Sequence, residues 1–390
     1  MSNRLTEAQR PSLSRLASES VDSRSPARHI DWLLLLAAGG LSAFGLLVIY
    51  SATSDRLAAR GLDPQQFVDH QSAALAVGVV AMVVVMLVDY RALLAWAPVL
   101  YAAALVPLGA VLVYGDIVNG SRAWLSLGAL QFQPSELAKV TLIVMLAALF
   151  HERREDGLAL RALVEALAIS AVPMALILAQ PDFGTFMVYV AIVFGVLLLA
   201  RVRVRYLMAL IALGVAAVAV ILASGALAAY QVDRLASFLS PETVDPRGAG
   251  FNVNQAQIAI GSGRVAGQGL FQGSQTSLSY VPENHTDFIF TVVGEELGFL
   301  GCALVLGGFA LLLWRALRIA ALSRDTFGVL LAAGVVTVFG FQVFINVGMT
   351  VGLLPVTGLP LPLLSYGGTS LVGCFLMVGL LQNVHMRRLR

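Results

Sequence analysis

The stretch Tyr280–Gly301 reads YVPENHTDFIFTVVGEELGFLG. It opens with Glu283, Asn284, His285, Thr286 and Asp287 in five consecutive positions, then turns apolar from Phe288 while still carrying Glu295 and Glu296. An apolar run of this kind reads as a membrane helix, and titratable groups gathered at its mouth are costly to keep there, so they mark a candidate site. The rest of the chain is apolar enough to support that reading. Hydrophobic residues make up 58% of the 390 and charged residues 12%, with a mean hydropathy of +0.83. Soluble domains carry about 25% charge. Lipid leaves an unclosed backbone only the helix, and no barrel-like alternation is present, so the fold class is an all-α integral membrane protein.

Working outward at about 20 apolar residues per crossing gives ten spans, at roughly 32–52, 72–88, 92–114, 135–151, 162–180, 183–200, 204–228, 288–314, 326–353 and 367–386. Residues 1–31, with five arginines, read as a disordered cytoplasmic tail, and 32–390 as one polytopic membrane domain. The first span starts too late and runs too long for a cleaved signal peptide. An even number of spans puts both termini on one side. With that side inside, 18 arginines fall in the tail and inner loops and 6 outside, as the positive-inside rule requires. The cluster around Asp287 is then extracytoplasmic, at the end of a large outer loop over 230–287. Long loops are usually functional. This one holds five glycines between Gly261 and Gly273, suited to tight turns and close backbone approach, but lacks the Lys-Ser/Thr of a P-loop. Cys302 and Cys374 lie in apolar runs and read as small core residues.

Five constellations carry candidate chemistry. Glu283, His285 and Asp287 read either as a base or cation binder, or, for Asp287 or Thr286, as the N-cap of the next helix. In QFQPSELAK, Glu136 and Lys139 lie three apart on one helix face. Lys139 is the only lysine in the chain, and the pair reads as a structural ion pair or as facing a polar cavity. In NGSRAW, Trp124 reads as an interfacial belt residue, or with Arg122 as a contact to sugar and phosphate. QPDFG is a tight turn in which Asp182 caps the following helix. Gly352–Ser370 packs three prolines and four glycines into sequence at membrane depth, which implies broken or re-entrant backbone.

Together, NGSRAW, FQPSELAK, AQPDFGT, QAQIAIGSG, PENHTDFIF with GEELG, and LPLLSYGGTS resemble the SEDS family (shape, elongation, division and sporulation), in that family's order. Within it the run from Gly348 to Gly368 looks closer to the elongation branch, RodA, than to the division branch, FtsW. Two positions depart from the family pattern: Gln268 stands where Lys is usual, and Ala256 where Ser is common. The resemblance implies a peptidoglycan glycosyltransferase of the bacterial inner membrane that polymerises lipid II into glycan strands. It also implies a class B penicillin-binding transpeptidase as partner in an elongation complex. On this reading Asp287 is the catalytic base. The substrate-binding candidates are Arg122, Trp124, Gln133, Ser135, Glu136, Lys139, Asp182, Arg234, Gln257, Arg264, Glu283, His285, Ser365 and Tyr366, with Arg247 a further phosphate candidate. A divalent cation, Mg or Mn, is a candidate to share the work on the phosphates, although carboxylates outside the membrane are too scarce for a two-metal protein cage. Two rival readings are a lipid II flippase and a non-catalytic scaffold for the transpeptidase.

Overall fold

The computed structural model describes residues 29–118, 120–127, 130–153, 160–224, 249–278 and 280–388. Arg234, Arg247 and the arginine-rich tail up to residue 28 lie outside the described residues. Seven helices come first in the chain: α1 (Trp32–Ala59), α2 (Gln66–Leu87), α3 (Ala92–Tyr114), α4 (Pro134–Glu152), α5 (Leu160–Ala179), α6 (Phe183–Leu199) and α7 (Val204–Ser224). Then come α8 (Ala249–Ser262), the short α9 (Ser274–Ser277), α10 (Ile289–Leu322), α11 (Thr326–Thr350) and α12 (Gly368–Met386). Eight of these are long and apolar enough to cross a membrane, and α6 and the Val204–Val220 part of α7 add two shorter apolar helices, so each of the ten expected spans contains a helix among the described residues. Internal prolines at Pro98, Pro107 and Pro173 sit in helices whose neighbours and side chains can satisfy the freed backbone groups.

One feature was not expected from the sequence. Between α3 and α4 the chain forms a three-stranded antiparallel sheet: β1 (Asp116–Val118), β2 (Ser121–Leu127) and β3 (Leu130–Phe132). The fold is therefore mostly, not wholly, helical. Two of the strands have three residues each, too short for alternation to register against flanking apolar runs.

The core of the bundle is built from α4, α11 and α12, while α2 and α3 lie mostly on its perimeter. Small residues bring helices close together. A Cβ on Gly195 of α6 would fall 2.0 Å from Thr337 Oγ1 of α11, and one on Gly334 of α11 would fall 2.4 Å from Ile143 Cγ2 of α4.

The two ends of the bundle differ in chemistry. At one end the start of α1 meets the end of α12. Asp31 N donates to Gln382 Oε1 (3.0 Å), Gln382 Nε2 donates to the Asp31 carbonyl (2.6 Å), and Arg315 Nε donates to Asp31 Oδ2 (2.9 Å). Arg387 Nη1 donates to the Met86 carbonyl, and Asp325, the N-cap of α11, also holds Tyr90 and Arg91. The first and last spans thus end together, as an even number requires. The opposite end carries the sheet, the non-helical segment after α11 and the turns before α10.

Candidate active site

Residues 282–288 form a run of turns ahead of α10. Glu283 takes a positive φ of 52°, and its carbonyl accepts from both Thr286 N (3.2 Å) and Phe288 N (3.3 Å). That winding decides the capping question. The helix starts at Ile289 with Phe288 as N-cap and no side-chain capping bond. The N-cap position therefore falls to neither Asp287 nor Thr286, which corrects that placing of the cap. Thr286 Oγ1 turns back to Glu283 instead, 3.1 Å from its carbonyl and 3.2 Å from Oε2. Glu283 itself is exposed.

Asp287 is half-buried and held through its main chain. Asn346 Nδ2, fully buried on α11, donates to the Asp287 carbonyl (2.8 Å) and to the Leu359 carbonyl (2.7 Å). One amide thereby fastens the turn before α10 to the broken segment after α11. Between those anchor points sits Gly358, at φ +73°, where a Cβ would lie 3.4 Å from Asp287 Oδ2. A glycine here accommodates the left-handed backbone.

The flank of the turn is made by aromatic packing and by Ser365. The His285 ring lies 4.8 Å from the Phe67 ring and 5.6 Å from that of Tyr366, centroid to centroid. Burial, and secondarily the charge of Arg56, lowers the His285 pKa to about 4, so the imidazole is neutral near pH 7. Its carbonyl accepts from Tyr366 N (2.9 Å). Buried Ser365 donates to the Thr286 carbonyl (2.6 Å) and accepts from Leu361 N (2.8 Å). Gln71 on α2 then clamps the segment, donating to the Ser365 carbonyl and accepting from Gly367 N, both at 3.0 Å. His285 and Ser365 therefore shape the backbone around Asp287.

A second polar group lies at the start of α4. Lys139 Nζ and Glu136 Oε1 are 2.8 Å apart, both side chains buried. Tyr189 Oη donates to the Ser135 carbonyl (2.9 Å), and Gln133 Nε2 donates to Asp182 Oδ2 (3.3 Å). Asp182 caps α6 as expected, accepting from Thr185 N (3.0 Å) and Thr185 Oγ1 (2.8 Å). Burial pushes its carboxyl up from the usual range against the pull of those two bonds. The broken segment joins the two groups. Its Gly358 faces Asp287, while the neighbouring Thr357 carbonyl would lie 2.5 Å from a Cβ on Gly184, two residues past Asp182.

The remaining candidates are spread around this centre. Half-buried Arg122 on β2 donates to the Leu112 carbonyl (3.3 Å) near the end of α3, and Trp124 is half-buried on the same strand. Gln257 of α8 donates to the Val351 carbonyl (3.0 Å) at the end of α11. Arg264 is exposed, with φ +48°. Gln268, in the usual Lys position, bridges Ser262 Oγ (2.8 Å) and Ser274 N (3.3 Å). Among the described residues no three or more His, Cys, Asp or Glu side chains converge as a metal site would. A cation carried by substrate phosphates needs only one or two protein carboxylates. Sequence reasoning missed Asn346, Gln71 and Gly358. The first two carried a signal, as uncharged polar side chains inside apolar helices.

Comparison with known proteins bears on the chain as a whole. The family model for cell cycle proteins of the FtsW/RodA/SpoVE type matches residues 31–389. The chain is 38% identical over 360 residues to the peptidoglycan glycosyltransferase MrdB of Escherichia coli, covering 92% of this chain and 94% of that one. It is 37% identical over 357 residues to stage V sporulation protein E of Bacillus subtilis, covering 91% and 96%. A solved chain from a peptidoglycan synthase complex that coordinates polymerization and crosslinking superposes with a TM-score of 0.76 at 34% identity, covering 92% of this chain and 98% of the other.

Proposed function

The chain belongs to the FtsW/RodA/SpoVE family of cell cycle proteins, and on that footing we propose that this peptidoglycan glycosyltransferase polymerises lipid II during cell elongation, with Asp287 as its general base. The protein is a multi-pass membrane protein, and the excess of arginine on the side of the termini supports placing those termini in the cytoplasm. Asp287 and the broken segment then face outward, where the sugars of lipid II must react.

In the reaction the 4-hydroxyl of an acceptor GlcNAc attacks C1 of the donor MurNAc. The hydroxyl proton passes to the Asp287 carboxylate, and undecaprenyl pyrophosphate leaves with the bonding pair. The base must be ionised, fixed and reachable. The observation that carries the assignment is the mounting of Asp287. Asn346 holds its main chain in place, and Gly358, in the left-handed region, brings the broken segment alongside its carboxylate. Among the described candidates, positive charge for the departing pyrophosphate falls first to Arg264, which is exposed, because the Arg122 guanidinium already serves the Leu112 carbonyl. A transpeptidase is the partner that fits a polymerase whose structural relative works within a complex joining polymerization to crosslinking.

The flippase reading needs a polar path through the bundle. Relatives named peptidoglycan glycosyltransferase support the enzyme instead. The test is to add labelled lipid II to purified protein with no other polymerase present. Wild type should give glycan ladders on a gel. Asp287→Asn should fold and give product at a rate lower by about 10²–10⁴. Near-normal ladders from Asp287→Asn would move the base to Glu283, and no ladders from the wild type would return the flippase and scaffold readings.

A further inference from the structure

The carboxylate pair of GEELG has no part in the chemistry above, yet both side chains are buried. Helix α10 is interrupted inside this motif: Gly298 has φ 64° and ψ −156°. The break leaves carbonyls of 289–297 without the helical amides that would follow them, and amides after it without their carbonyls. The outer loop supplies both. Gln268 N donates to the Glu295 carbonyl and Gly269 N to the Glu296 carbonyl, each at 3.0 Å. Phe299 N donates to the Arg264 carbonyl (2.9 Å) and Leu300 N to the Val265 carbonyl (3.1 Å). Glycine makes the approach feasible. A Cβ on Gly263 would fall 1.9 Å from the Gly294 carbonyl oxygen, and one on Gly267 2.0 Å from that of Glu296.

The Glu295 side chain completes this splice. It is 0% exposed and accepts from Gln275 N (2.7 Å), Thr276 N (3.0 Å) and Thr276 Oγ1 (2.7 Å). A buried carboxylate persists only where its oxygens are satisfied, and here the partners are neutral donors of the loop. Glu296 accepts from Ser51 Oγ on α1, so the same half-helix is held on its other side. That half-helix begins two residues after Asp287. Over nine residues it is a rigid rod about 13 Å long, with the catalytic candidate at one end and the loop bonds at the other.

We propose that Glu295 is a positioning residue: by binding the 274–276 turn it fixes the outer loop to the half-helix and thereby aims the Asp287 carboxylate. The inference rests on Asp287 being the base. It makes Glu295 matter to turnover rather than to substrate affinity.

The experiment uses the full-length protein purified in detergent, with labelled lipid II as substrate. Folded fraction, kcat and KM are measured for wild type, Glu295→Gln, Thr276→Ala, Thr276→Ser and Asp287→Asn. The glutamine keeps size and one acceptor but sets an amide against the loop donors. Thr276→Ala removes a single donor and serves if Glu295→Gln fails to fold. Expected are a kcat lower by about 10- to 100-fold per folded molecule in Glu295→Gln, a smaller fall in Thr276→Ala, an unchanged KM, and recovery in Thr276→Ser, which restores the hydroxyl. Wild-type kcat per folded molecule in both Glu295→Gln and Thr276→Ala, with Asp287→Asn inactive, overturns this inference alone and leaves a merely structural carboxylate. A raised KM at unchanged kcat overturns it in favour of direct substrate binding by the loop. Near-normal turnover by Asp287→Asn overturns the base assignment and this inference with it.

Discussion

Replacing Lys139 with methionine tests what the buried ion pair is for. Its Nζ lies 2.8 Å from Glu136 Oε1, with side-chain exposures of 1% and 5%. At that separation and an effective dielectric of 20, the gross attraction is about 6 kcal/mol. Removing both charges from water costs several kcal/mol per ion, so the intact pair contributes little net stability. Taking away one partner is different. Glu136 keeps its desolvation cost and loses its cation, while Asp182 still repels it. Loss of one partner from such a pair costs about 3–5 kcal/mol. Lys139→Met should therefore lower the yield of folded protein and its thermal unfolding temperature in detergent. The double variant Glu136→Gln/Lys139→Met removes both charges and should recover most of that stability. The assay is thermal unfolding of wild type, the two single variants and the double variant, with lipid II polymerisation measured on the same samples. If Lys139→Met accumulates and melts like wild type yet makes no glycan, the pair acts in the chemistry and the reasoning fails.

Further outcomes follow from other parts of the structure. His285 has a folded pKa of about 4 against 6.5 when free, so the unfolded chain binds the extra proton first as pH falls. Stability should be full above pH 6.5 and decline toward pH 4 by on the order of 3 kcal/mol. His285→Phe, which keeps the ring between Phe67 and Tyr366, should remove that component, and an unchanged pH profile of unfolding would refute it. Gly195→Val should destabilise the α6–α11 contact by about 1–3 kcal/mol, because a Cβ there meets Thr337 Oγ1 at 2.0 Å; normal melting of the variant would show that the helices part freely. The proposed transpeptidase partner should dock on exposed apolar faces of the spans, such as the α10 surface bearing Phe299, Leu300 and Leu304; crosslinks confined to residues 249–287 would contradict this.

Much of the architecture was determined by sequence alone, because hydropathy and capping are local. A stretch of about 20 apolar residues must become a helix in lipid, and among the described residues eight such stretches did, with two shorter apolar helices in the remaining two. Spacing alone put Glu136 and Lys139 on one helical face, and the Asp182 cap was readable from the turn preceding α6. The prolines and glycines of 352–370 announced broken backbone, and residues 352–367 are non-helical. Tertiary structure decided what surrounds the site. Asn346 holds Asp287 from 59 positions away, and Ser365 holds Thr286 from 79. No local pattern encodes such pairings, since each depends on how whole helices pack. For the same reason the N-cap of α10 escaped prediction: the Glu283 carbonyl, accepting from Thr286 N and Phe288 N, winds the chain so that the helix starts at Ile289 with Phe288 as its N-cap. The glycine loop was legible as a place of close approach, but its target was not. Only the packed fold shows that it closes the break at Gly298, because a helix interrupted in the membrane must find its missing hydrogen bonds in another part of the chain.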